Sequence, residues 1–117
     1  MGIQLNIEGR VLIASVKGEL DHHQAERLRP QIDSAYENSV CKHLVLDMSE
    51  ISFMDSSGIG MIIGRYKNTE KRGGQLVLAS MDERVSRLFE VSGLAKIVAR
   101  AETVKDALDK LGGGFSE

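Results

Sequence analysis

Near the start of the chain Ile3, Leu5 and Ile7 alternate with Gln4 and Asn6, the period of a half-buried strand. Glu8-Gly9-Arg10 is too short to hold a helix, and residues 11–16 are a second β-rich run, so the two predict an antiparallel hairpin. From Asp21 the period changes. Ala25, Leu28, Ile32 and Ala35 recur at helical spacing and mark one face of a helix. Pro30 falls inside that run, where a missing N–H and a ring clash cost about 3 kcal/mol. Because the apolar phase carries across it, one kinked helix is expected rather than two.

Leu44, Val45 and Leu46 are apolar on both faces, as expected of a central strand covered on both sides, and residues 76–79 read the same way. Between them a second helix is predicted over residues 57–71. Ser80 followed by Glu83 has capping-box spacing. The helix it predicts carries Val85, Leu88 and Phe89 and stops at Gly93. Residues 97–99 predict a short strand. Thr103 then caps a last helix with Val104, Ala107, Leu108 and Leu111 on one face, ending at Gly112.

The order ββαβαβαβα places the chain in the α/β class. It implies a mostly parallel sheet with an antiparallel N-terminal edge strand and packed helices. One domain is expected over residues 1–112, followed by a flexible tail at 113–117, where Gly112, Gly113 and Gly114 offer nothing to pack.

Composition narrows the function. A chain of 117 residues, 42% hydrophobic, suits one globular domain with a real core. Its net charge of −2 and five aromatics argue against a direct nucleic-acid partner. No apolar run reaches the ~18 residues of a membrane span, and the start has neither a basic n-region nor a long apolar stretch. Asn6 stands where N-myristoylation expects Ser or Thr. One cysteine, Cys41, makes no intrachain disulfide. A soluble cytoplasmic protein is expected, without membrane attachment.

In such sheets function gathers where strand carboxyl ends meet helix N-termini. Two segments fall there. Residues 52–60, SFMDSSGIG, lead into the second helix as a predicted loop. Asp and Ser are ordinary caps at such a place, but Gly58, Gly60 and Gly64 each cost about 1 kcal/mol relative to Ala within a helix. Gly60 and Gly64 share a face, which suits the close approach of another backbone, from the sheet or from a partner. The segment is not a P-loop or a dinucleotide fingerprint, and neither serine has the flanking glycines of a nucleophile elbow. What remains is a serine, Ser56 or Ser57, placed for phosphorylation at a helix start whose free N–H groups and dipole favour an anion.

Residues 18–23, GELDHH, join the hairpin to the first helix. An Asp21 cap followed by surface histidines explains them better than a metal set of His22, His23, Cys41 and His43, whose spacing matches no zinc site. Residues 19–55 carry eight acids and three bases, net −5, so an edge holding both Asp21 and Asp55 suits a partner presenting Arg or Lys. A phosphoacceptor receiver domain would use Asp47, Ser80 and Lys96, but Lys96 precedes its strand and so falls at the opposite edge.

Taken together, GELDHH and FMDSSG in one short chain resemble the anti-sigma-factor antagonists, STAS-domain proteins, and their sporulation members in particular. Gly64-Arg65-Tyr66-Lys67, Arg87-Leu88-Phe89 and Ser92-Gly93-Leu94 extend the likeness to about residue 111. The resemblance implies a regulator that is not an enzyme and holds no cofactor. Unmodified, it would bind an anti-sigma factor that is also a serine kinase, releasing a sigma factor for sporulation transcription. Phosphorylation of Ser56, with Ser57 as second candidate, would end binding, and a PP2C-type phosphatase would restore it. Asp21 corresponds to the family's acidic contact, and Asp55 and Gly58 shape the acceptor loop. His22, Ser57 and Gly60 complete the expected partner-binding set. The alternatives are a STAS antagonist in a general stress-response switch, or a phosphorylatable scaffold outside transcription.

Overall fold

The computed structural model describes residues Gly2 to Gly112; the tail expected at 113–117 lies outside them. A hairpin of β1 (Gly2–Glu8) and β2 (Val11–Leu20) opens the chain, and α1 (His22–Glu37) follows. Strand β3 (His43–Met54) precedes α2 (Ser56–Lys71), and β4 (Leu76–Ala79) precedes α3 (Glu83–Val91). A short 3-10 helix (Leu94–Lys96), β5 (Ala99–Ala101) and α4 (Val104–Lys110) close it. The five strands lie in the order β1-β2-β3-β4-β5. β1 is antiparallel to β2 and every later pairing is parallel, as the alternation of elements implies.

The two faces of the sheet are covered unequally. Leu12, Ala14 and Val16 of β2, Leu44, Leu46 and Met48 of β3, and Leu76 and Leu78 of β4 form the main core with α1, α2 and α3. Val11, Ile13, Val45, Val77 and Ala79 point the other way and meet Ala107 and Leu111 of α4. This division is why the central strands are apolar at consecutive positions. β1 is less buried than its alternation suggests, with Leu5 and Ile7 exposed and Ile3 packed on the core, because a sheet edge has no strand beyond it.

Several expectations need correction. β3 runs to Met54, so residues 52–54 belong to the strand and not to a loop; past an irregularity at Ser52, Phe53 and Met54 pair with β2, whose own strand extends to Leu20. The cap of α3 is Asp82, which accepts from Val85 N–H, while Ser80 sits at φ 62 in the left-handed region. The last strand, expected at 97–99, starts two residues later: the 3-10 helix after Gly93 ends at Lys96, Ile97 and Val98 turn, and β5 begins at Ala99. α1 is continuous over Pro30, whose exposed position lets water serve the carbonyl it cannot bond. Thr103 caps α4 through Asp106 N–H, as its spacing predicts.

Candidate functional site

Leu20, the last residue of β2, is in register with Met54, the last of β3. One residue later, each strand turns into a helix on an aspartate. Asp21 accepts from Gln24 N–H at 3.0 Å and caps α1. Asp55 accepts from Ser57 N–H at 2.9 Å and caps α2. The two carboxylates, far apart in sequence, are thereby set on adjacent strand ends at one edge. Glu19, exposed and in register with Phe53, adds a third acid to the same edge.

Ser56 is the first residue of α2 and is exposed, whereas Ser57 is half-buried. The N-terminal N–H groups of this helix are less free for an anion than its sequence suggests. Ser57 N–H is held by the Asp55 carboxylate, and Gly58 N–H bonds the Asp55 carbonyl at 3.0 Å. A phosphate on Ser56 would therefore share the helix end with the Asp55 carboxylate, a repulsion instead of a ready cradle.

The glycines divide by role. Gly58 is buried, and a Cβ there would stand 2.5 Å from Met54 Cγ and 3.1 Å from the Leu20 carbonyl oxygen. Glycine lets α2 start directly against the ends of β2 and β3, which holds Ser56 at the edge. A Cβ at Gly60 or Gly64 would meet nothing within 4 Å among the described residues, so their small size serves no packing there. They instead floor a groove of about 320 Å³ between α1 and α2, with His22, Ala25 and Arg29 on one wall and Ser57, Met61 and Arg65 on the other.

Arg65 was missed as part of this site, though it stands in the quoted GRYK run. Its Nε lies 2.9 Å from Asp33 Oδ1, a close ion pair that lacks the alignment of a hydrogen bond. Asn68 donates to the same oxygen at 3.0 Å. Burial holds the Arg65 guanidinium below its ordinary pKa, with the Asp33 carboxylate acting against that shift. Phe53, exposed beside Asp55, was also missed. The signal was the parity of the strand: with Met54 pointing inward, its neighbour Phe53 must point out.

His22 and His23 open α1 at the carboxyl edge, whereas Cys41 and His43 lie at the amino end of β3, so those four residues do not converge. Lys96 precedes β5 and is likewise remote from Asp47 and Ser80. Asp47 is instead bonded by Ser15 Oγ at 3.0 Å and by Ser49 N–H at 3.1 Å.

A family model for the STAS domain matches residues 2–107, and the chain belongs to that family. Its relatives include the Anti-sigma F factor antagonist of Paenibacillus polymyxa, 40% identical over 113 residues that cover 95% of this chain and 97% of that one. The Anti-sigma-B factor antagonist of Listeria monocytogenes is 35% identical over 83 residues, 71% of this chain and 72% of its own length. Among solved structures, the Bacillus cell fate determinant SpoIIAA in its phosphorylated form matches with a TM-score of 0.71 at 30% identity, covering 93% of this chain and 98% of that one. Among the described residues no helix is long and apolar enough to cross a membrane.

Proposed function

We propose that this chain is an anti-sigma-factor antagonist whose binding is switched by phosphorylation of Ser56. Unmodified, it binds an anti-sigma factor that is also a serine kinase and frees the sigma factor, turning on sporulation transcription. The kinase transfers the γ-phosphoryl group of ATP to Ser56, binding ends, and a PP2C-type phosphatase resets the chain. The chain acts as ligand and substrate of other proteins and not as a catalyst. The observation that carries this reading is the exposed Ser56 hydroxyl at the start of α2, flanked by Asp55 and level with Asp21 on one sheet edge.

The switch follows from charge. Asp21, Asp55 and Glu19 suit a basic partner surface, His22 and the groove floored by Gly60 extend the contact, and Ser57 and Gly58 set the acceptor's position. A phosphate adds about two negative charges where the Asp55 carboxylate already occupies the helix end. Desolvating that cluster in the complex then costs a few kcal/mol, and about 1.4 kcal/mol is tenfold in affinity.

The test is peptide mass spectrometry after incubation with a cognate anti-sigma kinase and ATP. One phosphate on Ser56, absent in Ser56→Ala, is the expected result, with Ser56→Ala still bound and Ser56→Asp binding at least about tenfold more weakly. Modification at Ser57 would move the acceptor one residue. Equal binding by Ser56→Asp and the parent would overturn the electrostatic account. The Listeria relative gives a second reading, antagonism in a sigma-B-type stress switch; binding to that class of anti-sigma factor in preference to the sporulation class would select it.

A further inference from the structure

β1 is an unprotected sheet edge. It is seven residues long, has no strand on its outer side among the described residues, and contains no proline or lysine to discourage pairing. In an antiparallel pair alternate residues direct their N–H and C=O groups away from the partner, so part of the β1 backbone faces outward unpaired. Its apolar side chains are also uncovered, Leu5 at 37% and Ile7 at 57% exposure, on the face shared with α1.

We propose that this edge is an interface for a second copy of the chain, joined antiparallel across a two-fold axis at Leu5. The strand GIQLNIE is nearly symmetric about that residue. Centring the axis there sets Leu5 against Leu5, Ile3 against Ile7 and Gln4 against Asn6 of the other copy. It is the one register that uses all seven residues while keeping every apolar residue on a single face; a shift by one residue would set apolar against polar positions. Such isologous pairing closes on itself and yields a ten-stranded sheet, not a filament.

Charge agrees with the same register. Gly2 of one copy faces Glu8 of the other, and Gly2 is in register with Lys17 of β2 on its inner side. Glu8 and Lys17 then stand two strand spacings apart, about 10 Å between backbones, within reach of two long side chains. Between them is only a glycine, where a Cβ would meet nothing within 4 Å among the described residues. Lys17 is free to turn: its contact with Glu50 is 3.5 Å long and exposed at both ends. The two-fold axis makes each such ion pair twice.

Sedimentation equilibrium of the full chain tests this. A seven-residue edge gives a weak dimer, so mass should rise from one chain toward two between about 10 μM and about 1 mM. Leu5→Lys, which sets two ammonium groups together on the axis, should remain monomeric throughout. Glu8→Lys and Lys17→Glu, both at exposed positions, should each weaken association about fivefold, and the double swap should restore it to within about twofold. A single-chain mass at every concentration overturns the proposal. So does association that survives Leu5→Lys, or a double swap no better than the single ones.

Discussion

Gly74→Ala should be among the most damaging single-methyl changes in this protein, although Gly74 lies in an ordinary-looking turn after α2. A Cβ at residue 74 would stand 1.7 Å from the Lys42 carbonyl oxygen and 2.6 Å from its carbon. An ordinary carbon–oxygen contact is about 3.4 Å, so one backbone must retreat by about 1.7 Å. That carbonyl accepts from the Tyr36 hydroxyl at 2.6 Å, and Lys42 N–H donates to the Arg10 carbonyl at 2.8 Å. Next to them Leu44 N–H bonds the Gln75 carbonyl at 3.0 Å, tying β3 to the start of β4. A shift of this size breaks two or three of these bonds, each worth about 1 kcal/mol net and more where a buried partner such as Tyr36 is orphaned. Stiffening the unfolded chain returns about 0.5 kcal/mol, leaving a loss of about 3 kcal/mol. With a urea dependence of about 1.5 kcal/mol per molar, the unfolding midpoint should fall by about 2 M. Gly60→Ala is the internal control, since its Cβ meets nothing and a helix interior gains about 0.5–1 kcal/mol from Ala. If Gly74→Ala unfolds at the parent's urea concentration, or later than Gly60→Ala, the steric reasoning is wrong.

Ser80→Gly should raise the melting temperature by about 4 °C, because a serine held at φ 62 costs about 1 kcal/mol that glycine avoids. Arg72→Ala should cost about 2 kcal/mol in urea unfolding, since its guanidinium donates to the Tyr36 and Cys41 carbonyls at 2.9 and 2.7 Å and stacks on the Tyr36 ring. His43 accepts from Gln75 N–H through Nδ1 at 3.0 Å, and burial first, then Lys42 and Arg10, hold its pKa below the ordinary value. The unfolded chain therefore binds the proton more readily. The stability this contributes is complete above the ordinary histidine pKa and is lost as pH falls from there toward the folded value. Urea midpoints of the parent and His43→Gln should converge between about pH 7 and about pH 5, and a gap that widens on acidification would sink the assignment. Gly60→Ala, stabilising by itself, should weaken capture of the anti-sigma factor by filling the groove; unchanged binding would remove that groove from the partner surface.

How much of this was legible beforehand differs by element. The hairpin, the alternation of strands with helices, the Thr103 cap and the apolar face of α4 depend on period and on local capping chemistry, both of which a sequence carries within a few residues. The boundaries that were misjudged depend on contacts between distant segments. Ser52 is polar and the Asp-Ser-Ser that follows Met54 resembles a loop, and Phe53 and Met54 are a strand only because the end of β2 offers them a ladder. Ser80 and Glu83 have the right spacing for a cap, but the bond from Ser80 N–H to the Ala101 carbonyl accompanies a left-handed turn that delays the helix to Asp82.

The site divides in the same way. That Asp21, Asp55, Ser56 and Gly58 belong to helix starts was fixed by residue type and order, because capping is a local event. That both aspartates share one edge was decided by the Leu20–Met54 register, a pairing of residues 34 positions apart that no local rule contains. The division of the glycines was equally tertiary. Gly58 is small because Met54 and Leu20 crowd it, while Gly60 and Gly64 face an open groove shared with α1. A missing Cβ looks the same in every sequence; only the atoms that approach the empty place, or fail to, say what it is for.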